Sequence, residues 1–235
     1  MALPKLNESI RYDMTIPSKK RKVSFRPYFV KEEKILLQAF ESKDEKLSMR
    51  AMIDTVIACV YETVNPNTLT TFDVEYMFTQ IRARSVGESS TLNAGCQAEG
   101  CEGKSEVIID LTSVEVELDD NVESMVKLDD NISIELQYPT YASFLDNYSS
   151  EISSAEFGMS MINECIVSIN TPDERITEWS KVEIQEFVDS MTTDQFAMVG
   201  KFVDSSPTLK KDVHYTCGVC GKENKITLEG ISDFF

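Results

Sequence analysis

The spacing of apolar residues predicts two helices near the start of the chain. From Lys31 the sequence is rich in helix formers, and Glu32 and Glu33 occupy the first turn, where the helix dipole favours negative charge. The capping box Ser42-Lys-Asp-Glu45 predicts a second helix, which we expect to end at Asn65-Pro66. Its apolar residues recur every three or four positions and form one buried stripe: Met49, Ile53, Val56, Val60 and Val64.

Helical spacing recurs twice further along the chain. A third helix is predicted from Thr70, with Arg82 and Arg84 in its last turn, where the negative end of the helix favours cations. Residues 151–169 again have apolar positions at intervals of four and three, which predicts a helix over this segment. These positions are Ala155, Met159, Ile162, Ile166 and Ile169.

Two capping boxes predict a helical hairpin in the last third of the sequence. Ser180-Lys-Val-Glu183 begins one short helix, over roughly 181–190, and Thr192-Thr-Asp-Gln195 begins another, over roughly 193–204. The chain then finishes in two strands, HYTC and KITLEG, around a tight turn.

The middle of the chain has strand-like alternation over residues 106–138. The tetrapeptide Leu-Asp-Asp-Asn occurs at 118–121 and again at 128–131, which predicts a meander of short strands joined by Asp-Asp-Asn turns. These aspartates could instead hold Ca²⁺, although the glycine and terminal glutamate of an EF-hand loop are missing.

This order of helices, strands, helices and strands predicts an α+β fold rather than a parallel α/β sheet. We expect helical segments around a small antiparallel β region that contains a split four-cysteine zinc ribbon. The predicted parts form one composite domain: a basic arm or hairpin (1–29), a helical part (30–88), a β region with the first zinc knuckle (89–138), a helical insertion (139–208), and the second knuckle with the terminal strands (209–235).

The zinc prediction comes from four of the six cysteines. Cys217-Gly-Val-Cys220 has the spacing of a zinc knuckle, and Cys96 and Cys101 form a wider pair flanked by glycines. Four thiolates make a closed tetrahedral Zn²⁺ site, so we expect a structural ion that joins segments separated by 115 residues. A redox pair and unligated cysteines are the alternatives, although the redox motif favours a helix where turn and strand are predicted here.

The remaining cysteines and the single histidine have simpler interpretations. Cys59 and Cys165 fall on apolar helix faces and are expected to be small buried hydrophobes. His214 could replace a zinc ligand, but an exposed strand position is the simpler interpretation. With one histidine there is no HExxH motif and no Ser-His-Asp set, so the sequence favours a non-enzymatic protein.

Charge is distributed unevenly along the sequence. The 235 residues carry a formal charge of −17, made up of +5 over residues 1–35 and −22 over the rest. This acidity argues against binding to nucleic acid or an anionic membrane and favours protein partners. We find no apolar run that would span a membrane and no signal-peptide core, and we expect an intracellular or virion-bound protein.

The basic charge is concentrated in Lys19, Lys20, Arg21 and Lys22, within PSKKRKV. A Pro-Ser-Lys turn precedes this run, so the segment is compatible with a hairpin or an extended arm. The run resembles a nuclear localisation signal and could contact nucleic acid. Beside so acidic a body, we expect it instead to dock on an acidic neighbour, either another copy of the chain or a partner subunit.

One ordered set of segments extends from about residue 14 to the end of the sequence: Arg26-Pro27, Val30–Leu37, Leu69–Tyr76, Ile81–Glu88, the two cysteine pairs and the terminal Gly230–Phe235. In this combination the sequence resembles the T4-type bacteriophage baseplate protein family. The resemblance implies a non-enzymatic hub subunit, or a chaperone that assembles the hub, in contractile-tailed phages. It also implies other baseplate and tail hub proteins as partners, and a location in the virion or, during assembly, in the host cytoplasm. The alternative is a zinc-ribbon adaptor of transcription or replication that contacts nucleic acid.

Overall fold

The computed structural model of the protein describes residues 10–119, 121–149 and 152–234 and confirms the α+β prediction. In chain order, the strands are β1 (Tyr12–Ile16), β2 (Arg21–Phe25), β3 (Ser89–Gly95), β4 (Lys104–Asp110), β5 (Glu115–Val116), β6 (Met125–Lys127), β7 (Ser133–Leu136), β8 (Ile166–Asn170), β9 (Arg175–Ile176), β10 (Leu209–Thr216) and β11 (Glu223–Glu229). The helices are α1 (Val30–Glu41), α2 (Glu45–Cys59), α3 (Thr71–Ser85), α4 (Tyr141–Asn147), α5 (Ser154–Cys165), α6 (Lys181–Asp189) and α7 (Thr193–Asp204).

The chain forms two compact units. The first unit comprises residues 1–65, 72–117 and 208–235, and the second comprises residues 66–71 and 118–207. The second unit is therefore largely an insertion between β5 and β10 of the first. Within the described residues, no helix is long and apolar enough to cross a membrane.

The first unit combines α1, α2 and α3 with three small antiparallel sheets, ordered β1-β2, β3-β4 and β11-β10-β5. The β1–β2 segment is a packed hairpin rather than an extended arm, because Met14, Ile16, Val23 and Phe25 on one face are buried. A core of buried aliphatic residues, including Leu209, lies beneath the sheets that carry the cysteines.

The second unit packs helices against one antiparallel sheet with the strand order β6-β7-β8-β9. Its core is apolar and includes Ile134, Ile166 and Val199. Helices α6 and α7 begin at the capping boxes predicted from Ser180–Glu183 and Thr192–Gln195, and α5 begins with a further box, between Ser153 and Glu156. Each box satisfies backbone amides that the first turn of a helix leaves free.

The predicted helix over 151–169 is wrong in its last part. Helix α5 ends at Cys165, and the next five residues form β8, which pairs with β7. The isoleucines at 162, 166 and 169 fit a helical period, but Ile166, Val167 and Ile169 are β-branched and pack well in a sheet. Pairing with β7 favours the strand over the helix at these residues.

The predicted limits of the second helix are also wrong. Its N-cap is Asp44, whose Oδ1 accepts a hydrogen bond from the backbone N–H of Leu47 at 3.0 Å. The helix ends at Cys59 rather than at Asn65, because the backbone N–H of Arg26 donates to the Cys59 carbonyl and Val60 forms an extended bridge with Phe25. A contact with the distant β2 strand therefore terminates this helix.

The predicted meander over 106–138 does not form as a single sheet. Strand β4 pairs with β3, β5 pairs with β10, and β6 and β7 pair with each other. The second Leu-Asp-Asp-Asn segment does form the β6–β7 turn, where the Asp129 carboxylate accepts backbone amides from Asn131 and Ile132. Asp119 accepts the amide of Asn121 in the same way. These aspartates act as turn formers.

Candidate metal centre

The four predicted ligand cysteines lie on two loops of the first unit. Cys96 and Cys101 are in the loop between β3 and β4, which the backbone hydrogen bond from Cys96 N–H to the Gly103 carbonyl closes at 2.8 Å. Cys217 and Cys220 are in the turn between β10 and β11. The hydrogen bond from Cys217 N–H to the Lys222 carbonyl closes that turn at 2.9 Å.

The structure brings these four sulfur atoms together, and all of them lie within 4.8 Å of one another. The Sγ atoms of Cys96 and Cys220 are 3.5 Å apart, and those of Cys101 and Cys217 are 3.9 Å apart. Tetrahedral Zn²⁺ with bonds of about 2.3 Å requires sulfur atoms separated by about 3.8 Å. All four cysteines are free thiols, so the residues present fit a tetrathiolate metal site.

Gly103 leaves the space that the cluster needs. A Cβ atom at this position would lie 2.8 Å from Cys217 Sγ and 3.0 Å from Val219 Cβ. Because real Cβ atoms essentially never approach other atoms this closely, any larger residue would push the β3–β4 loop away from the second cysteine pair. The glycine is therefore required by close approach rather than by backbone conformation.

Backbone amides point at the sulfur atoms from both loops. The N–H of Ala98 donates to Cys96 Sγ at 3.3 Å, and the N–H of Val219 donates to Cys217 Sγ at 3.4 Å. Amides of Cys220 and Val219 lower the pKa of the Cys217 thiol to about 6. The amide of Gly103 also favours the Cys101 thiolate, but the neighbouring Cys220 thiol opposes it, and the pKa of Cys101 is raised to about 11. Four crowded thiols cannot all ionise easily without a cation among them.

Asn224 connects the two loops, and sequence reasoning did not identify it. This residue is 4% exposed, and its Oδ1 atom accepts a hydrogen bond from the Gln97 N–H at 2.8 Å and from the Cys96 thiol at 3.8 Å. Its Nδ2 atom donates to the Lys222 carbonyl at 2.8 Å. A polar residue at an inward position of a terminal strand was the available signal, but its partners in the other loop, Cys96 and Gln97, are 128 and 127 positions away.

The other candidate residues lie outside the cluster. His214 is exposed on β10, opposite Lys225, and is not among the clustered side chains. Cys59 and Cys165 are buried as predicted, and burial raises the pKa of each thiol to about 12. The basic residues Lys19–Lys22 are exposed in the β1–β2 turn and at the start of β2. Among the described residues, no other group of side chains meets the same geometric test for a metal site.

With this geometry established, comparison with known families identifies the chain. The model of the T4 bacteriophage base plate protein family matches residues 9–235. The chain belongs to this family. Comparisons with curated proteins and with solved structures give no match.

The family match confirms the resemblance to T4-type baseplate proteins. The protein is therefore a component of a phage baseplate. The family implies a location in the phage tail and interactions with other phage tail proteins. The family model covers both units and all four clustered cysteines, so both units belong to the family's common sequence.

Proposed function

We propose that the protein is a component of the baseplate hub, or a factor that assembles the hub, and that it acts through protein–protein contacts without catalysis. The observation that carries this proposal is the family match over both units. The described thiols outside the cysteine cluster are buried, and a high pKa keeps both protonated near neutral pH. A role in assembly needs specific surfaces on a stable body, and the two packed cores provide that body.

The proposed cofactor is a structural Zn²⁺ ion held by Cys96, Cys101, Cys217 and Cys220. Four thiolate ligands leave no open coordination position for a substrate, which is the arrangement of a structural site rather than a catalytic one. The ion would join the β3–β4 loop to the β10–β11 turn. Because these segments are separated by 115 residues, the metal would remove much of the freedom of the unfolded chain.

Infection with a phage whose copy of this gene carries an early stop codon tests the proposed role. We expect baseplates to be absent or to lack the hub, while other tail parts still accumulate. Mass spectrometry of purified virions and of assembly intermediates then separates the two roles. Presence in both would identify a hub subunit, and presence only in intermediates would identify an assembly factor. Normal baseplates without the protein would refute the proposal.

Metal analysis of the purified, reduced protein tests the zinc site independently of phage assembly. We expect close to one Zn²⁺ per chain, and loss of the metal in Cys217→Ser. Cys59→Ala is the matched control, because it removes a thiol outside the cluster and should leave the zinc content unchanged. A zinc content below about half an ion per chain in the unaltered protein would refute the assignment.

A further inference from the structure

The β1–β2 hairpin presents four consecutive cations, which we call the basic tip: Lys19 and Lys20 in the turn, and Arg21 and Lys22 at the start of β2. All four residues are exposed. Lys22 forms a surface ion pair with Asp13 at 2.9 Å, although its own side chain remains 71% exposed. Such a pair contributes little in water, and the side chains of all four cations are open to solvent and to a partner.

The basic tip is held in a fixed position by the first unit. The backbone N–H and the hydroxyl of Ser18 both donate to the Asp73 carboxylate, at 2.9 and 2.5 Å, and Asp73 is fully buried in the first turn of α3. The inner face of the hairpin is buried as well. A tip that is already ordered loses little conformational entropy when it binds a partner.

The backbone of the basic tip is strained at Lys20. Lys20 has a φ of 47°, a left-handed conformation that glycine adopts at lower cost than a residue with a Cβ atom. Strained residues are more common at functional sites, so an outlier within a cluster of charges suggests a role for the cluster.

The second unit has the opposite charge. It contains four basic and 18 acidic residues, a formal charge of −14, whereas the first unit has 19 basic and 22 acidic residues and a charge of −3. Fourteen of the 16 acidic residues described in the second unit are exposed. Two of its four cations, Lys127 and Arg175, are already paired with carboxylates.

We infer that the basic tip of one copy docks on the acidic second unit of another copy. The complementary charges belong to the same chain, so no further partner is needed. We take the association to be head-to-tail, with the tip of each copy on the second unit of the next, so that it can continue into a ring or a linear chain. Nucleic acid is disfavoured as the partner, since the second unit repels phosphates.

The association should be weak and sensitive to salt. Each surface ion pair strengthens binding by roughly two- to threefold, so the four cations together account for roughly 10- to 100-fold. Two chains of charge −17 repel each other, but at about 0.15 M ionic strength the Debye length is about 8 Å, and only neighbouring charges interact strongly. Contact between the basic tip and the acidic unit can therefore outweigh the net repulsion.

Sedimentation of the purified full-length chain at about 0.1 M and about 0.5 M salt tests the inference. We expect oligomers at low salt that dissociate at high salt. Replacing Lys19, Lys20, Arg21 and Lys22 by Gln should weaken association by roughly tenfold or more. The matched control replaces Lys34, Lys43, Lys46 and Arg50, four other exposed cations of the first unit, and should still associate. A monomer in all conditions, or equal loss in both variants, would overturn the inference.

Mixing experiments test the head-to-tail geometry. The tip-neutralised chain retains its acidic unit, so it should bind unaltered chains within about threefold of their own affinity while failing to bind itself. Failure to join unaltered chains would rule out this geometry. Binding of a labelled DNA duplex at about 0.1 M salt that is lost on neutralising the tip would point to nucleic acid instead and would also overturn the inference.

Two single substitutions separate the charge of Lys20 from its effect on folding. Lys20→Gly removes one cation and also relieves a strained backbone, so it should weaken association without lowering the melting temperature. Lys43→Gly is the control, because Lys43 is also an exposed lysine with a positive φ, of 57°. It should leave association unchanged. Equal effects of the two substitutions on association would contradict a special role for the tip.

Discussion

The two units of this chain achieve stability in different ways. The first unit is nearly neutral and brings four cysteines together from loops that are distant in sequence. The second unit has a charge of −14 and begins α5, α6 and α7 with three successive capping boxes. Its helices therefore depend on local signals, whereas the cysteine cluster of the first unit depends on long-range contacts.

The net charge is distributed differently along the sequence and between the two folded units. Along the sequence, the charge divides into a basic N-terminal segment and an acidic remainder. In the folded chain, most of the net negative charge belongs to the second unit, while the basic tip belongs to a first unit whose net charge is only −3. The division of charge follows the compact units rather than the order of the sequence.

Removing the metal site should have the largest effect on stability, and this effect should be confined to the first unit. Cys217→Ser, or chelation of the metal, is expected to cost about 5 kcal/mol or more, because the binding free energy of a structural zinc is also folding free energy. Hydrogen exchange should increase in β3, β4, β10 and β11 while α6 and α7 remain protected. Equal loss of protection in both units would show that they unfold together and would contradict separate sources of stability.

A smaller effect within the first unit is expected from Gly103→Ala. The new Cβ atom would meet Cys217 Sγ at 2.8 Å, and relief of this clash should cost about 1–3 kcal/mol and lower zinc affinity. Gly95→Ala is the matched control, since a Cβ atom at that position has no neighbour within 4 Å. Thermal unfolding and competition with a chelator measure both quantities. Similar losses for the two variants would argue against close packing at Gly103.

Glu75 gives the first unit a dependence on pH, although the second unit carries most of the net negative charge. Burial raises the pKa of Glu75 on α3 from 4.5 to about 7. A raised folded-state pKa stabilises the fold at low pH, and this contribution is lost as the pH rises from about 4.5 through about 7. At pH 8, Glu75→Gln should therefore be more stable than the unaltered protein by about 1–3 kcal/mol.

Denaturant unfolding at pH 6 and pH 8 measures this effect as the difference between the two proteins. Titration of the cysteine cluster affects both proteins alike and cancels in that difference. Glu186→Gln, an exposed substitution in the second unit, is the control and should not change the pH dependence. If Glu75→Gln gave no larger gain at pH 8 than at pH 6, the ionisation of Glu75 would not be the cause.

Local structure was predictable from the sequence wherever a few neighbouring residues determine it. The boxes at Ser180 and Thr192 use a side chain and an amide three residues apart, so the helix starts could be predicted. The β10–β11 turn at Cys217–Cys220 likewise depends on a short segment. The meeting of the two cysteine pairs was also predicted, because tetrathiolate chemistry requires a second pair.

Long-range contacts explain what the sequence did not predict. The end of α2 depends on β2, and the strand at 166–170 depends on pairing with β7. Asn224 contacts Gln97, which is 127 positions away, and no local pattern marks this pair. The charge of the second unit could be counted only after its limits were known. Each of these features requires a partner whose position the sequence alone does not fix.

The smallest expected effect concerns the caps of the second unit. Ser180→Ala removes the hydroxyl that accepts the Glu183 amide, and should lower stability by about 1 kcal/mol. Ser180→Asp should restore most of this loss, because aspartate also caps helices well. Hydrogen exchange should increase at the start of α6, while zinc content and protection of the first unit remain unchanged. Loss of zinc from Ser180→Ala would mean that the caps support the metal site as well, and the contrast between the two units would fail.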